Sequence, residues 1–284
     1  MLVNLNAVLK DAQKNRYAVG LFNTTDMEML QGVIEAAEET KSPVIIGTAE
    51  VLLPYGELKL LSPSVVEAAK RASVPVVVHY DHGLTFDRCI EALQLGYSSI
   101  MFDGSANPYD ENIAQTKEIV KIAHSMGATV EGEIGHVGQA NDSDNDKADL
   151  YTTVEQAKSY IAATGVDALA ISIGTAHGKY ITKPLLDLNR LAEIREAVDT
   201  PLVLHGGSGL SDDDFRNCVK GGIAKINIYT DLCIAGEKAS RNKLDNCEPY
   251  TGMNSYLEMR NMKVEEIKKV VKTKMELFGS VNKA

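Results

Sequence analysis

Eight short apolar segments rich in β-branched residues recur along this chain, and a stretch with helical spacing follows each of them. Strands without polar alternation are typical of a parallel sheet that is buried on both faces. Eight strand–helix units in a row predict an α/β fold, a (β/α)8 TIM barrel. The alternative is a doubly wound open sheet, which usually carries a glycine-rich fingerprint after its first strand; here that strand ends in Phe22-Asn23-Thr24. The predicted strands cover residues 17–22, 44–47, 76–80, 99–102, 129–134, 168–173, 202–204 and 223–228.

The chain is predicted to form one domain. No linker rich in proline, glycine or serine divides residues 1–284, and residues 238–284 are predicted to form a C-terminal helical extension with apolar residues at helical spacing. Two loops stand out. Residues 55–63 form a modest insertion after the second strand, and residues 135–151 are polar and acidic, which indicates a candidate lid.

The composition limits the class of partner. A formal net charge of -10 argues against nucleic-acid binding, which usually requires a basic patch. No apolar run approaches the roughly 20 residues that cross a bilayer, so no membrane partner is expected. No signal peptide is visible, and the four cysteines show no CxxC spacing. We therefore expect a cytoplasmic protein that acts on a small molecule.

The ends of the predicted strands carry most of the reactive side chains. In a (β/α)8 barrel the active site lies at the carboxyl ends of the strands, so residues far apart in sequence meet there. Three imidazoles at one rim are typical of a catalytic zinc site with an open fourth position; the alternative is three independently hydrogen-bonded histidines. A free carboxylate beside them can move a proton. The polar residues at strand ends include Asn23, Thr48, Asp81, His82, Asp103, Glu131, Glu133, His177, His205 and Asn227.

Two segments near the last strands predict a phosphate site. They read His205-Gly206-Gly207-Ser208-Gly209 and Asn227-Ile228-Tyr229-Thr230. Glycine lets backbone N–H groups approach phosphate oxygens closely, and the loops after strands seven and eight are the usual phosphate site of these barrels. Zinc, a free carboxylate and a phosphate site together favour reversible aldol cleavage of a phosphorylated ketose.

These residues resemble a known family, the class II, zinc-dependent ketose-bisphosphate aldolases, which includes fructose-bisphosphate and tagatose-bisphosphate aldolases. The resemblance runs from residue 17 to residue 230 and implies the (β/α)8 fold, a homodimer or homotetramer, and release of glycerone phosphate. The motifs that carry it are Phe22-Asn23, Asp81-His82-Gly83, Val130-Glu131-Gly132-Glu133-Ile134-Gly135, Gly174-Thr175-Ala176-His177-Gly178 and Leu204-His205-Gly206-Gly207-Ser208-Gly209.

The resemblance also implies roles for individual residues. Asp81 matches the acid/base aspartate, and His82, His177 and His205 match the Zn²⁺ ligands. Asp103 and Glu133 match a second or alternate metal position. The family commonly binds a monovalent cation, Na⁺ or K⁺, near the phosphate loop, and we carry that over as an expectation. The predicted substrate-binding residues are Asn23, Thr48, Gly178, Gly206, Gly207, Ser208, Asn227, Ile228, Tyr229 and Thr230.

The substrate is where the sequence departs from the family pattern. Fructose-bisphosphate members commonly have Asp at the position of Tyr229 and often Arg near Cys233, whereas tagatose-bisphosphate members commonly have Ala at the first position. We predict cleavage of fructose 1,6-bisphosphate or tagatose 1,6-bisphosphate to glycerone phosphate and an aldehyde such as glyceraldehyde 3-phosphate. The alternative is another phosphorylated ketose or a deoxy sugar acid. In the acidic loop, Asp142 is the candidate for the residue that exchanges protons.

Three other functions stay open at this point. A zinc hydrolase on the same barrel typically carries His-x-His after the first strand, where this chain has Phe22-Asn23-Thr24. A metal-free aldolase would use a Schiff-base lysine, for which Lys225 is the only candidate within a predicted strand. A non-catalytic sugar-phosphate binding protein is the last alternative, and the intact Asp81 and histidine set argue against it.

Overall fold

Eight parallel strands close into a ring. The computed structural model describes residues 1–135, 151–178, 180, 184–246 and 252–284. Strands β2 to β9 follow one another around the ring, and β4 closes it by pairing with β5 as well as with β3. The predicted TIM barrel is confirmed. The strands are β1 Leu2–Val3, β2 Val19–Asn23, β3 Val44–Ala49, β4 Val76–Gly83, β5 Ser99–Phe102, β6 Thr129–Ile134, β7 Ala168–Ile171, β8 Leu202–Leu204 and β9 Ile223–Ile228.

Helices lie between the barrel strands and cover the outside of the ring. Several of them begin at a side chain that caps the helix, such as Asp26, Thr85, Thr153 and Ser211. The helices are α1 Leu5–Asn15, α2 Met27–Thr40, α3 Leu58–Arg71, α4 Phe86–Gln94, α5 Tyr109–Ser125, α6 Val154–Thr164, α7 Leu188–Ala197, α8 Asp212–Gly221, α9 Thr230–Asp245 and α10 Met253–Phe278. No helix among these described residues is long and apolar enough to cross a membrane.

The N-terminal segment closes the bottom of the barrel. Helix α1 buries Leu5, Val8, Leu9 and Ala12, the spacing of one helical face. These side chains join the inward-facing strand residues in a single apolar cluster. The floor of the barrel is therefore packed with hydrocarbon, and only the opposite rim is left for polar chemistry. Neither β1 nor α1 was predicted from the sequence.

The region predicted as an insertion at residues 55–63 is largely helical. A 3₁₀ helix covers Glu50–Tyr55, and α3 already begins at Leu58 and runs through Pro63. Proline cannot donate the helical hydrogen bond and usually interrupts a helix, but Pro63 lies within α3. Burial of Leu58 against the core nevertheless holds the first turn of α3 in place.

The C-terminal part contributes two helices. Helix α9 follows β9 directly, so the predicted start of the extension at residue 238 falls inside this helix. Helix α10 packs on α2 and α9 and buries Ile267, Val271, Met275 and Phe278.

The acidic loop predicted as a lid covers residues 135–151. Its residues 136–150, which include Asp142, lie outside the described residues.

Candidate active site

A bulge in β4 brings Asp81 and His82 to the same cavity. Tyr80 pairs with Ile100 and Gly83 with Phe102, so β4 carries one residue more than β5 between these pairs. His82 has a φ of +47°, a left-handed conformation that residues other than glycine seldom adopt. Consecutive side chains of a regular strand point to opposite faces, whereas a bulge re-aims them. As a result, both side chains line the cavity.

The three predicted zinc-binding histidines converge. Their ring centroids are 4.9 Å apart for His82 and His177, 4.5 Å for His82 and His205, and 5.9 Å for His177 and His205. One ring nitrogen from each lies within 4.8 Å of the others. The structure thus brings together three side chains that come from β4, from the segment after β7 and from the end of β8.

The hydrogen bonds of His82 and His205 fix which nitrogens face each other. His82 Nδ1 lies 2.7 Å from Asp103 Oδ2, and His205 Nε2 lies 2.8 Å from Glu131 Oε1. An ionised carboxylate only accepts, so these two nitrogens carry the hydrogens. The other two, His82 Nε2 and His205 Nδ1, are 2.8 Å apart. This is the distance of a hydrogen bond, so one of the two nitrogens carries a proton that the other accepts, in the place that a metal ion would take. A carboxylate behind an imidazole, as found here for both, is typical of metal-bound histidine. The donor set therefore fits a metal ion.

The surroundings shift the pKa values of His82 and His205 in opposite directions. Burial alone would lower the pKa of His82, but Asp81, the hydrogen bond to Asp103 and the charge of Glu133 outweigh it and raise the pKa to about 10. Burial and the neighbouring His82 lower the pKa of His205. The pair thus holds one positive charge, which a proton supplies when no metal is bound.

Asp81 is held as a carboxylate by two amides. Its Oδ2 accepts a hydrogen bond from Asn23 Nδ2 at 2.8 Å, and its Oδ1 accepts one from Asn227 Nδ2 at 3.0 Å. Burial alone would raise the pKa of Asp81, but the positive charges of His82, His205 and Lys225 outweigh burial and hold the pKa far below its ordinary value. Asp81 is therefore an ionised acceptor at the edge of the cavity.

A buried ion pair lies beneath this rim. Lys225 Nζ is 2.8 Å from Glu131 Oε2 and donates to Asn227 Oδ1 at 2.8 Å. Because lysine only donates, the Asn227 oxygen must face Lys225 and its NH₂ group must face Asp81. From the sequence, Glu131 has no assigned role, and Lys225 is a candidate only for the Schiff-base alternative. Charged residues in the middle of apolar strands are the signal that predicts such a pair, since buried charges are rarely left unpaired.

The other wall of the cavity contains the predicted phosphate site. Gly206 has a φ of +66°, and a Cβ there would lie 2.3 Å from the Ala176 carbonyl oxygen, so only glycine fits. Ser208 Oγ accepts hydrogen bonds from the backbone N–H groups of Tyr229 at 3.2 Å and Asp231 at 3.4 Å. The lining residues from this side are Gly178, Gly206, Gly207, Ser208, Asn227, Ile228, Tyr229 and Thr230.

Three predicted site residues do not line the cavity, namely Thr48, Glu133 and the fully buried His205. The Thr48 hydroxyl accepts a hydrogen bond from Tyr97 OH at 3.0 Å, and Thr48 is not among the cavity-lining residues, so the structure does not bring it to the predicted substrate site. Glu133 groups with His82 and Asp103, with one ligand atom of each within 4.8 Å of the others, but it does not line the cavity. Hydrogen bonds from His82 and Ser105 outweigh burial and hold the pKa of Asp103 well below its ordinary value.

Four apolar residues complete the lining. Ala49, Val51, Leu52 and Leu84 follow the ends of β3 and β4 and line the same cavity of about 410 Å³. These four residues were not predicted from the sequence, because apolar side chains that belong to no motif give no functional signal.

Comparison with known proteins places these features in one family. A family model described as fructose-bisphosphate aldolase class-II matches residues 3–283. The fructose-bisphosphate aldolase of Staphylococcus aureus is 37% identical over 286 residues, covering 100% of this chain and 99% of that protein. The fructose-bisphosphate aldolase of Thermus caldophilus is 38% identical over 309 residues, covering both chains fully.

A further relative comes from Escherichia coli K12. The uncharacterized protein YdjI is 40% identical over 289 residues and is covered fully, as is this chain. The crystal structure of the YdjI aldolase superimposes with a TM-score of 0.89 at 37% identity, over 100% of both chains. The chain therefore belongs to the class-II fructose-bisphosphate aldolase family, whose enzymes are lyases, and the resemblance predicted from the sequence is confirmed.

Proposed function

We propose that this chain catalyses the reversible, zinc-dependent aldol cleavage of a phosphorylated ketose to glycerone phosphate and an aldehyde. The observation that carries the proposal is that one cavity is lined by Asp81, by His82 and His177, and by the glycine-rich segment after β8. His205, which is fully buried, contacts His82 from below this cavity. A carboxylate, a metal-binding triad and a phosphate cradle at one rim are the parts that this reaction needs.

His82, His177 and His205 are the residues that would hold Zn²⁺, because three imidazoles with an open fourth position are typical of catalytic zinc sites. The bound ion supplies Lewis acidity that polarises the ketose carbonyl next to the bond that breaks. Asp103 and Glu131 orient the imidazoles of His82 and His205 through the hydrogen bonds described above.

Asp81 moves the proton that cleavage requires. When the C3–C4 bond of the ketose breaks, the C4 hydroxyl loses its proton and becomes the carbonyl of the aldehyde. The ionised Asp81 carboxylate is placed to accept this proton, because Asn23 and Asn227 hold both of its oxygens at the cavity edge. The glycerone-phosphate half takes up a proton at C3 from a second group. The predicted candidate for it, Asp142, lies outside the described residues.

The phosphate of the glycerone half is assigned to the wall formed after β8 and β9. Gly206 and Gly207 let the backbone approach an anion closely, and α9 begins at Thr230 on the same wall. The amino end of a helix favours a negative charge because its first N–H groups have no partner within the helix. Ser208, which orders this corner by its bonds to residues 229 and 231, adds a hydroxyl.

The Schiff-base alternative is disfavoured by the position of Lys225. Its side chain is fully buried, its ammonium contacts Glu131 and Asn227, and it does not line the cavity. A nucleophilic lysine must be neutral and reach the substrate carbonyl. We therefore retain the zinc mechanism.

Fructose 1,6-bisphosphate and tagatose 1,6-bisphosphate are the substrates predicted from the sequence, and both contain the glycerone-phosphate half. The Staphylococcus aureus and Thermus caldophilus relatives, both named fructose-bisphosphate aldolase, support the former. Another phosphorylated ketose or a deoxy sugar acid is the second candidate. The homodimer or homotetramer, the cytoplasmic location and the monovalent cation stay predictions.

The proposal is tested by measuring glycerone phosphate released from ketose 1-phosphates and 1,6-bisphosphates before chelation, after chelation and after zinc is returned. We expect release from at least one of them, its loss with the chelator and its recovery with zinc. Activity that survives the chelator and is trapped by borohydride would contradict the zinc mechanism in favour of a lysine adduct.

A further inference from the structure

The cavity has two chemically different ends. Gly206, Gly207 and the start of α9 form one end after β8 and β9, and this is the end assigned to the glycerone phosphate. Ala49, Val51, Leu52 and Leu84 form the other end, after β3 and β4. In the ring of eight strands β4 lies four steps from β8 in either direction, so the two ends face each other across the cavity.

The position of Asp81 assigns the β3–β4 end to the aldehyde half. Asp81 lies at the end of β4 and accepts the C4 proton in the proposed reaction, so carbon 4 lies beside β4. A ketose whose carbon-1 phosphate is bound after β8 and β9 therefore extends its carbons 5 and 6 toward Val51 and Leu84.

The described residues at this end include no cationic side chain for a second phosphate. Among the described residues that line the cavity there is no lysine or arginine, and the acidic ones are Asp81 and Asp103. Val51 is 61% exposed and Leu84 is 52% exposed, so the mouth on this side presents hydrocarbon.

Two polar donors near Leu84 are already used. The backbone N–H of Leu84 donates to Glu50 Oε2 at 2.8 Å, and Tyr80 OH donates to the same oxygen at 3.0 Å. Neither of these two groups is free to donate to a phosphate. Phosphate groups are held in proteins by charge-assisted hydrogen bonds, most often from arginine, lysine or backbone N–H groups.

We infer that the aldehyde half of the substrate carries no phosphate, so that the substrate class is a ketose 1-phosphate with an uncharged, hydroxymethyl or methyl, far end. This inference rests on the proposed function. It favours the second candidate, another phosphorylated ketose, over the two bisphosphates predicted from the sequence. The favoured compounds share with the bisphosphates only the glycerone-phosphate half.

The test uses two substrates that differ by one group, fructose 1-phosphate and fructose 1,6-bisphosphate, with the zinc-loaded enzyme. We expect kcat/KM to be about tenfold or more higher for fructose 1-phosphate, because an anion moved beside carboxylates and hydrocarbon loses its hydration without gaining a partner. An equal or higher kcat/KM for the bisphosphate would overturn the inference and leave the proposed function standing. Release of glycerone phosphate from neither compound would overturn the proposed function, and the inference with it.

A variant that adds a positive charge at the apolar end tests whether the missing cation is what disfavours the bisphosphate. Val51→Arg places a guanidinium at the apolar end, and we expect it to raise the ratio of bisphosphate to monophosphate kcat/KM by about tenfold, since guanidinium binds phosphate in a bidentate manner. The matched control is Leu60→Arg, an exposed apolar position on α3 (79% exposed) that does not line the cavity. A ratio that changes equally in both variants, or in neither, would count against the assignment of this end.

Discussion

The ammonium of Lys225 lies 2.8 Å from Oε2 of Glu131, and both side chains are fully buried inside the barrel. Through Asn227, Lys225 orders the amide that donates to Asp81, and Glu131 accepts from His205. One buried ion pair therefore supports both Asp81, the carboxylate proposed to move the proton, and His205, one of the imidazoles proposed to hold the metal.

Removing the cation of this pair should destabilise the fold strongly. Lys225→Met leaves Glu131 charged and without its counter-ion, and we expect a loss of about 3–5 kcal/mol in the free energy of unfolding. The double variant Lys225→Met/Glu131→Gln removes both charges and should regain at least about half of that loss. Chemical denaturation of the chelated protein measures both. Lys70→Met, an exposed lysine on α3, is the control and should change stability by less than about 0.5 kcal/mol. A Lys225→Met protein as stable as this control would show that the pair contributes nothing.

The carboxylate behind His82 should control metal affinity. Asp103→Asn replaces the acceptor of the His82 Nδ1 hydrogen bond with a neutral amide, and we expect zinc to bind about 10–100-fold more weakly. Competition with a chromophoric chelator measures this without any assay of activity. Glu91→Gln, which removes a surface carboxylate paired with Lys59 and Arg88, is the control and should bind zinc like the parent. Parent-like affinity in Asp103→Asn would contradict the orienting role.

Gly206 should be needed for two reasons: the substrate phosphate approaches its backbone closely, and its φ is positive. Gly206→Ala meets the Ala176 carbonyl oxygen, whereas Gly127→Ala, also at positive φ (+77°), meets nothing within 4 Å. Both variants should lose about 1–2 kcal/mol from the left-handed backbone. Only Gly206→Ala should also raise KM for the ketose phosphate, by about tenfold, because one lost phosphate contact is worth roughly 1.4 kcal/mol or more. Equal KM values in the two variants would remove the phosphate role from this segment.

Most of the fold could be predicted because each barrel strand is a short, largely apolar run followed by a helical pattern. The predicted bounds agree with the structure at residues 99–102, 129–134, 202–204 and 223–228. The segment before residue 17 was missed because the apolar face of α1 has a function only once a barrel floor exists for it to cover. Residues 58–63 are predicted from the sequence as part of an insertion, whereas the structure places them in α3, which contains Pro63.

The candidate site was predictable to the extent that polar residues at strand ends converge in a closed barrel. That reasoning found Asp81, His82, His177 and His205 without knowledge of any distance. Thr48 does not line the cavity, because whether a residue at a strand end faces the cavity or the surrounding helices depends on the local register. The same reasoning gave no role to the Glu131–Lys225 pair, since partners from two strands become visible only when the ring closes.

The apolar end of the cavity could not be predicted at all. Val51 and Leu84 are ordinary loop residues in the sequence, and their placement opposite the phosphate wall follows from the order of strands around the ring. Sequence motifs report the chemistry that a family shares, whereas recognition of the aldehyde depends on side chains that carry no motif.

The central claim is that two adjacent residues have different roles. His82, with His177 and His205, is proposed to hold zinc, and Asp81 is proposed to move a proton. His177→Ala should lose bound zinc, which shows that the histidines are the ligands. Asp81→Asn keeps the size of the side chain and removes the acceptor that Asn23 and Asn227 hold in place.

The most direct test is therefore the turnover of Asp81→Asn loaded with zinc, with metal content and kcat measured on the same preparation. We predict about one zinc ion per chain, as in the parent, and a kcat lowered by about 10²–10⁴-fold, the usual contribution of a general acid–base. A zinc-replete Asp81→Asn enzyme that turns over like the parent would contradict the account.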